Sequence, residues 1–235
     1  MCTRFVYNGN DTIVGFNFDI DISEYEHKVI LEKDRFFIGI KMPDNQWHSY
    51  HGVNANGDVG TLLYVHGNEK ALKSKEGDCY TIAELTERFV CGELFFEEAV
   101  EIVQQKEIIY ENGATMQALL SDRNGKVLIV EPGIGYKIET EKFSLITNYS
   151  LLSPQSTQFY ITPGDNRYEC AKEILNSYDE SFSVAEAFSV LEAVKQEGLW
   201  ATRVSFVYSV NSQMVYYVEN NQFDKIKEWK LSKHE

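Results

Sequence analysis

The sequence has few positive charges and no long apolar run. Among its 235 residues, 22 Lys and Arg stand against 36 Asp and Glu, which gives a formal net charge of −14. Such a surface repels phosphate backbones, so we expect no nucleic-acid partner. No apolar stretch is long enough to span a bilayer, and the N-terminal segment lacks the basic and apolar regions of a signal peptide. We therefore expect no membrane partner and a cytoplasmic location.

Cysteine and proline are also scarce, with four of each. None of the cysteines lies in a C-x-x-C pair, and no carboxylate or cysteine joins the close pair His48 and His51 at a recognisable ligand spacing. This pattern predicts that Cys79, Cys91 and Cys170 are ordinary thiols in a reducing compartment, and it predicts no metal site and no cofactor. The scarcity of proline, with no linker, repeat or low-complexity tract, predicts one domain over residues 1–235.

What the chain does have is blocks of strand patterns separated by pairs of helix patterns. The predicted strands are Cys2–Tyr7, Thr12–Asp19, Lys28–Leu31, Phe36–Lys41, Trp47–Val53, Thr61–Val65, Thr115–Ser121, Val127–Pro132, Gly135–Glu139, Phe143–Thr147, Arg203–Tyr208, Met214–Glu219 and Lys225–Lys230. The predicted helices start near Thr81 and cover Phe96–Gln105, Arg167–Asn176 and Ser183–Val194. Blockwise order favours antiparallel sheets over a βαβ parallel sheet. The predicted fold class is α+β, a four-layer αββα sandwich of two mainly antiparallel sheets.

Cys2 is the most informative single residue because it directly follows the initiator methionine. Removal of Met1, which a small second residue permits, would place a thiol and a free α-amine on one residue. Cysteine is the most nucleophilic common side chain near neutral pH. An α-amine with a pKa of about 7.7–8.0 can accept the thiol proton and later return it to a leaving group. The dipeptide alone predicts nothing further, since one cysteine does not make a site.

The first two strands place other polar residues near Cys2. Alternation puts Cys2 and Arg4 on one face of the first strand. The turn at Asn8–Asp11 predicts a hairpin whose second strand returns beside Cys2 and ends at Asp19. Asp19 could orient the α-amine, or it could belong to a solvated strand end; the residues leave both interpretations open.

Five segments in order resemble the choloylglycine hydrolase family, which includes bile salt hydrolases and penicillin V acylases among the N-terminal nucleophile hydrolases. The segments are Cys2-Thr3-Arg4-Phe5-Val6-Tyr7, Gly15-Phe16-Asn17-Phe18-Asp19, Gly52-Val53-Asn54-Ala55-Asn56-Gly57, Leu145-Ile146-Thr147-Asn148, and Arg167-Tyr168. The end of the chain, Gln213–Lys225, resembles the family's closing strands. No single motif is specific, but their order along the whole chain is.

The resemblance implies a role for each matching residue. Cys2 is the nucleophile, its amine is the base, and Asp19 orients the amine. Asn148 donates its side-chain amide to the oxyanion, and the backbone N–H of Tyr64 is the second donor. Arg167 supplies positive potential that favours the thiolate.

The chain departs from the family at Phe16, where the second motif typically has an arginine. Arg4 could replace part of that charge beside the thiol, or it could pair with a carboxylate; both remain open. Arg4 and Phe16 are the expected substrate-contacting residues. The chain also lacks most of the loop that bile salt hydrolases use in tetramer assembly, between Asn148 and Arg167. The tetramer is not carried over, and homo-oligomerisation stays open.

These observations predict a hydrolase that cleaves a linear amide bond in a small N-acyl substrate through a thioester acyl-enzyme. Two alternatives remain. One is an acyltransferase of the acyl-coenzyme A:6-aminopenicillanic acid type, which shares the mechanism but exposes its nucleophile by cutting an internal Gly-Cys bond. The other is a binding scaffold that has lost activity, as Phe16 would allow.

Overall fold

The computed structural model describes residues 2–65, 71–110, 115–160 and 162–233. Met1, whose removal the sequence predicts, lies outside the described residues. The strands are β1 (Thr3–Asn8), β2 (Thr12–Asp19), β3 (His27–Leu31), β4 (Arg35–Lys41), β5 (Trp47–Asn54), β6 (Val59–Tyr64), β7 (Cys79–Thr81), β8 (Glu107–Ile109), β9 (Met116–Ser121), β10 (Val127–Glu131), β11 (Gly135–Glu139), β12 (Phe143–Ile146), β13 (Thr202–Ser209), β14 (Met214–Glu219) and β15 (Lys227–Lys230). The α-helices are α1 (Ile82–Val90), α2 (Phe96–Gln105), α3 (Pro154–Thr157), α4 (Arg167–Ser177) and α5 (Val184–Ala193).

Two antiparallel sheets form the centre of the fold. The first sheet, called sheet A, has the strand order β12-β1-β2-β13-β14-β15, and sheet B has the order β11-β10-β9-β6-β5-β4-β3. Three apolar clusters separate the layers. One lies between the sheets, one contains residues of α1, α2 and sheet B, and one contains residues of α4, α5 and sheet A. The predicted α+β four-layer sandwich is confirmed.

Strand β1 shows how alternation makes these layers. Val6 belongs to the cluster between the sheets, as does Cys2 just before the strand. Phe5 and Tyr7 point the other way and pack in the cluster that contains α4 and α5. Opposite faces of one strand therefore contact different layers. The side chain of Cys2 is directed into the inter-sheet layer for this reason.

Packing explains why the segment Gly15–Asp19 begins with glycine. A Cβ atom at this position would overlap the ring of Phe5 on the neighbouring strand. Because that ring is fully buried, it has no room to move away. The close approach of β1 and β2, which brings Asp19 to Cys2, therefore needs glycine here.

Sequence patterns missed the shortest elements. Strands β7 and β8 form a separate parallel pair, in which Cys79 lies opposite Glu107. The helices α1 and α2 connect these two strands. Three residues are too few to show alternation, and this explains the omission. No helix in the described ranges has the length and apolar character needed to cross a bilayer.

Candidate active site

Cys2 lies at the open end of β1 and is buried, with 5% of its surface exposed. Its backbone nitrogen donates a hydrogen bond to Oδ1 of Asn148 at 2.6 Å. Its thiol approaches the backbone oxygen of Asp19, with 3.8 Å between Sγ and O. Burial raises the pKa of the thiol to about 11, against an opposing effect of the Arg167 charge. The resting thiol is therefore neutral, and forming a nucleophile requires a nearby base.

Asp19 lies beside Cys2 because β1 and β2 pair with Thr3 opposite Asn17. Its Oδ1 accepts a hydrogen bond from the hydroxyl of Thr202 at 2.6 Å, and its Oδ2 is 3.5 Å from Nη1 of Arg167. Burial raises the pKa of Asp19 to about 7, while the Thr202 hydrogen bond and Arg167 act in the opposite direction. The carboxyl group is thus poised to change charge near neutral pH.

Arg167 is the first residue of α4, and only 6% of its surface is exposed. Its guanidinium donates to the backbone oxygen of Cys2 and to Oδ1 of Asn148, both at 3.1 Å. Asp165, two residues earlier, accepts from Nε at 2.9 Å and from Nη2 at 2.8 Å. This two-point contact fixes the plane of the guanidinium. Arg167 is therefore held in a fixed orientation against Cys2, Asn148 and Asp19.

Asn148 follows β12 and reaches Cys2 because β12 pairs with β1 on the side opposite β2. Its Nδ2 donates to the backbone oxygen of Tyr64 at 2.6 Å. Since Tyr64 ends β6 of sheet B, the side chain of Asn148 connects the two sheets at this end of the sandwich. The structure thus brings together Cys2, Asp19, Asn148 and Arg167, with the backbone of Tyr64 next to Asn148.

Arg4 does not join this group. Its guanidinium bonds to the backbone oxygen of Phe5 and to Oγ of Ser121, at 3.0 Å for the latter. Ser121 lies beside the turn that contacts Asn8, so the side chain points toward the far end of β1 and away from the thiol. Among the described residues no carboxylate contacts it. The sequence suggested that Arg4 places its charge beside the thiol or pairs with a carboxylate, and neither contact occurs in the part of the chain that the structure describes. Arg167 instead occupies the position next to Cys2.

Phe16 is a core residue, with no exposed surface. Its ring stacks on His51 at 5.3 Å between centroids and packs against Phe206 of β13 at 5.6 Å. Burial lowers the pKa of His51 to about 3, and Nδ1 of His51 accepts from the backbone nitrogen of Leu62 at 3.2 Å. His51 is therefore neutral. A substrate could reach Phe16 only if the inter-sheet core opened, and contact between Phe16 and a substrate stays a prediction.

Sequence reasoning missed the residues that support the site. Thr202 bonds to Asp19, Asp165 holds Arg167, and Gln117 contacts the backbone on both sides of Asn148. Asp165 had a local signal, since it lies in the Pro163-Gly164-Asp165 turn before a helix. Thr202 and Gln117 had none, because strand pairing and sheet packing bring them to the site. No group of three or more potential metal ligands occurs within the described parts of the chain.

Comparison of sequences and of folds gives different results. The sequence matches no protein-family model and no curated protein. In fold, the chain is similar to the C2A mutant of the conjugated bile acid hydrolase from Clostridium perfringens, with a TM-score of 0.66, 16% identity and coverage of 100% of this chain and 99% of that one.

Two further enzymes are similar in fold. Penicillin V acylase from Agrobacterium tumefaciens gives a TM-score of 0.62 at 19% identity, covering 93% of this chain and 83% of that one. The Caenorhabditis elegans ortholog of N-acylethanolamine-hydrolyzing acid amidase gives 0.61 at 15% identity, covering 98% and 100%. At the level of the fold, these comparisons agree with the resemblance found in the sequence motifs: the chain has an α+β sandwich similar to those of a conjugated bile acid hydrolase and a penicillin V acylase.

Proposed function

We propose that this protein, after removal of Met1, hydrolyses the linear amide bond of a small N-acyl substrate with Cys2 as nucleophile. One observation carries the proposal: Asn148 and Arg167 bond to the backbone atoms of Cys2, and Asp19 contacts the thiol through its backbone oxygen and Arg167 through its carboxylate. Three distant parts of the chain therefore converge on one terminal residue. The enzymes similar in fold support this choice of reaction, because each is named for hydrolysis or acylase activity.

The first step would form the thioester. Removal of Met1 turns the Cys2 nitrogen into an α-amine that remains next to Asn148 Oδ1. The amine accepts the thiol proton, and the thiolate attacks the substrate carbonyl carbon. The protonated amine then gives its proton to the leaving nitrogen as the carbon–nitrogen bond breaks. A water molecule, deprotonated by the same amine, hydrolyses the thioester and returns the thiol.

Charge on the carbonyl oxygen during attack needs fixed donors. Asn148 has two N–H bonds on its amide, and Tyr64 O accepts one of them. In the proposed mechanism the second N–H binds the oxyanion, with the Tyr64 backbone N–H as its partner donor. Loss of one such donor costs other enzymes about 10²–10³ in rate.

The acyl group of the substrate is proposed to be apolar. Cys2 belongs to the inter-sheet cluster together with Phe18 and Ile20, and Tyr50 and Leu151 pack against that cluster. An acyl chain that enters beside the thiol would therefore contact apolar surface, which favours burial of hydrocarbon. No nucleic-acid or membrane partner and no cofactor is needed for this reaction.

The test is acylation of Cys2 by an activated ester. Intact mass spectrometry first establishes that Met1 is absent from the purified protein. Incubation with a p-nitrophenyl acyl ester should then add one acyl mass to the wild type and none to Cys2→Ala. Cys170→Ala is the matched control, because Cys170 is a partly exposed cysteine that the mechanism does not use, and it should label like the wild type.

Two results would contradict the proposal. An adduct that persists in Cys2→Ala would point to another nucleophile. Protein that lacks Met1 and forms no adduct would favour the inactive binding scaffold. Acyl transfer is distinguished from hydrolysis by adding an amine acceptor, since a transferase would pass the acyl group to the amine faster than to water.

A further inference from the structure

The segment that carries Asn148 leaves β12 and is held by buried side chains of the opposite sheet. Gln117 on β9 contacts the backbone of Thr147 and Tyr149, which flank Asn148. Glu131 at the end of β10 contacts the residues that follow. Both side chains come from neighbouring strands of sheet B, whereas the segment continues a strand of sheet A.

Gln117 has no exposed surface, and its Nε2 donates to the oxygen of Thr147 at 2.5 Å and to the oxygen of Tyr149 at 3.3 Å. A primary amide has two N–H bonds, so these two carbonyls use both. The opposite orientation would place Oε1 against two other oxygens. The direction of the Gln117 amide is therefore set by the peptide groups on either side of Asn148.

Glu131 holds the next turn in the complementary way. It is also buried, and Oε1 accepts from the backbone nitrogens of Leu151 at 2.8 Å and Leu152 at 3.1 Å. Its Oε2 accepts from the hydroxyl of Ser150. Gln117 thus binds carbonyls before and after Asn148, and Glu131 binds the donors that come later.

We propose that Gln117 is a positioning residue for Asn148. Fixing both flanking peptides fixes the direction of the Asn148 side chain, which must present one N–H to Tyr64 and the other to the substrate oxygen. The inference rests on the proposed function and adds to it a residue that does not touch substrate. Small errors in the placement of a catalytic group are costly, so loss of this contact should reduce the rate of reaction.

Stability alone does not explain the side-chain amide of Gln117. Oε1 of Gln117 has no hydrogen-bond partner within the described residues, although it is buried. An unsatisfied buried acceptor is unfavourable. The chain keeps an amide at a position where one of its two polar atoms is unpaired, because only the donor end matches the two carbonyls.

Gln117→Leu tests the proposal, with Asn8→Leu as the matched control. The amide of Asn8 also donates to two backbone carbonyls, of Gly125 at 3.0 Å and Glu141 at 2.8 Å, but at the opposite end of β1 from Cys2. We expect Gln117→Leu to lower the rate constant of Cys2 acylation roughly 10- to 100-fold with a similar ester KM. Asn8→Leu should stay within about threefold of wild type, since it leaves the Asn148 segment in place.

Hydrogen exchange gives a readout that does not depend on the reaction. Residues 149–153 should exchange faster in Gln117→Leu than in the wild type and in Asn8→Leu. If the wild type forms no adduct, the proposed function fails and this exchange alone decides the inference. Equal acylation rates in Gln117→Leu and wild type, or unchanged exchange when there is no adduct, would overturn it.

Gln117→Glu separates donation from packing. An ionised carboxylate has no N–H or O–H to offer the two carbonyls, whereas the protonated acid can donate to one. Burial favours the protonated form of the introduced carboxyl group and raises its pKa, so that it ionises within the accessible pH range. The acylation rate of Gln117→Glu relative to wild type should therefore fall as pH rises from about 5 to 9. A ratio that stays constant with pH would show that packing alone matters and would overturn the proposal.

Discussion

The side-chain oxygen of Asn148 accepts a hydrogen bond from the backbone nitrogen of Cys2 at 2.6 Å, although 146 positions separate the two residues. The nitrogen of the same amide donates to the backbone oxygen of Tyr64 at 2.6 Å. One side chain therefore contacts the nitrogen proposed as the base and the strand proposed to supply the second oxyanion donor. The oxygen and the nitrogen of the Asn148 amide therefore have different proposed roles, which can be tested separately.

Asn148→Asp keeps an oxygen near the Cys2 nitrogen but removes both N–H donors. In the proposed mechanism this change should lower the rate constant of Cys2 acylation by about 10²–10³. Stopped-flow release of p-nitrophenol measures that rate. Met1 removal, checked by intact mass, serves as the control, because processing occurs before the site acts. Acylation within about threefold of wild type would show that Asn148 is not an oxyanion donor.

The two buried arginines should affect the thiol differently. Arg167 lowers the pKa of Cys2 against the dominant effect of burial, and its guanidinium contacts the Cys2 backbone. Arg167→Gln should therefore raise the apparent pKa of Cys2 alkylation by iodoacetamide. Arg4→Met should leave that pKa unchanged, because the Arg4 guanidinium points to Ser121.

The stability of Arg4→Met provides a further comparison. Burial lowers the pKa of Arg4 to about 9, which reflects the cost of a charge without an opposite partner. Replacing a buried ion pair with apolar residues of similar volume is often neutral or stabilising by about 1–4 kcal/mol. Because no carboxylate among the described residues contacts Arg4, its replacement leaves no opposite charge unpaired, and we expect Arg4→Met to be neutral or stabilising. Urea unfolding measures the change. A shift of the alkylation pKa in Arg4→Met would restore the role for Arg4 that the sequence suggested.

The sequence predicted most of the fold because its strands alternate clearly. The bounds of Thr12–Asp19, Phe96–Gln105 and Met214–Glu219 agree with the structure at both ends. Ser183 accepts from the backbone nitrogen of Glu186 as an N-cap, as its position before an apolar run predicted. These features depend on local periodicity and capping. The parallel pair of β7 and β8 does not, since each strand has three residues and the pairing joins segments that α1 and α2 separate along the chain.

Local sequence motifs predicted only part of the grouping of residues at the candidate site. Cys2 and Asp19 could be paired from the first hairpin, and Asn148 and Arg167 came only from the family resemblance. Arg4 shows the limit of strand alternation: it gives the face of the residue but not the direction of a long side chain along that face. Thr202 joined the site through pairing of β13 with β2, which no local pattern indicates.

Acid stability should report on His51. Burial lowers its pKa to about 3, whereas the unfolded chain has an ordinary histidine. The unfolded state therefore binds more protons, and the stability contributed by this group is lost as pH falls from about 6.5 toward 3. His51→Phe should remove that loss, so its unfolding free energy relative to wild type should increase from pH 7 to pH 5. A constant difference would mean that His51 does not stay neutral.

We expect Thr202 to influence the pH below which activity is lost, because its hydrogen bond affects the pKa of Asp19. The backbone nitrogen of Gln196 donates to Oγ1 of Thr202 at 2.8 Å, so the hydroxyl proton is directed to Oδ1 of Asp19 at 2.6 Å. This bond favours the ionised carboxylate, against burial that raises the pKa of Asp19 to about 7. Thr202→Val keeps the shape and removes the donor, so the pKa of Asp19 should rise further.

If ionised Asp19 orients the Cys2 amine, the acid limb of the acylation profile should move up by about one pH unit in Thr202→Val and stay in place in Thr202→Ser. The pH dependence of stability provides an independent test of the same contact. Because the folded-state pKa is raised, the contribution of Asp19 is fully present below about pH 4 and is lost as pH rises through about 7. Thr202→Val should deepen that loss, so urea unfolding should show a larger destabilisation at pH 9 than at pH 5. A destabilisation that is equal at both pH values, together with an unmoved acid limb, would mean that the Thr202 hydroxyl does not control the charge of Asp19.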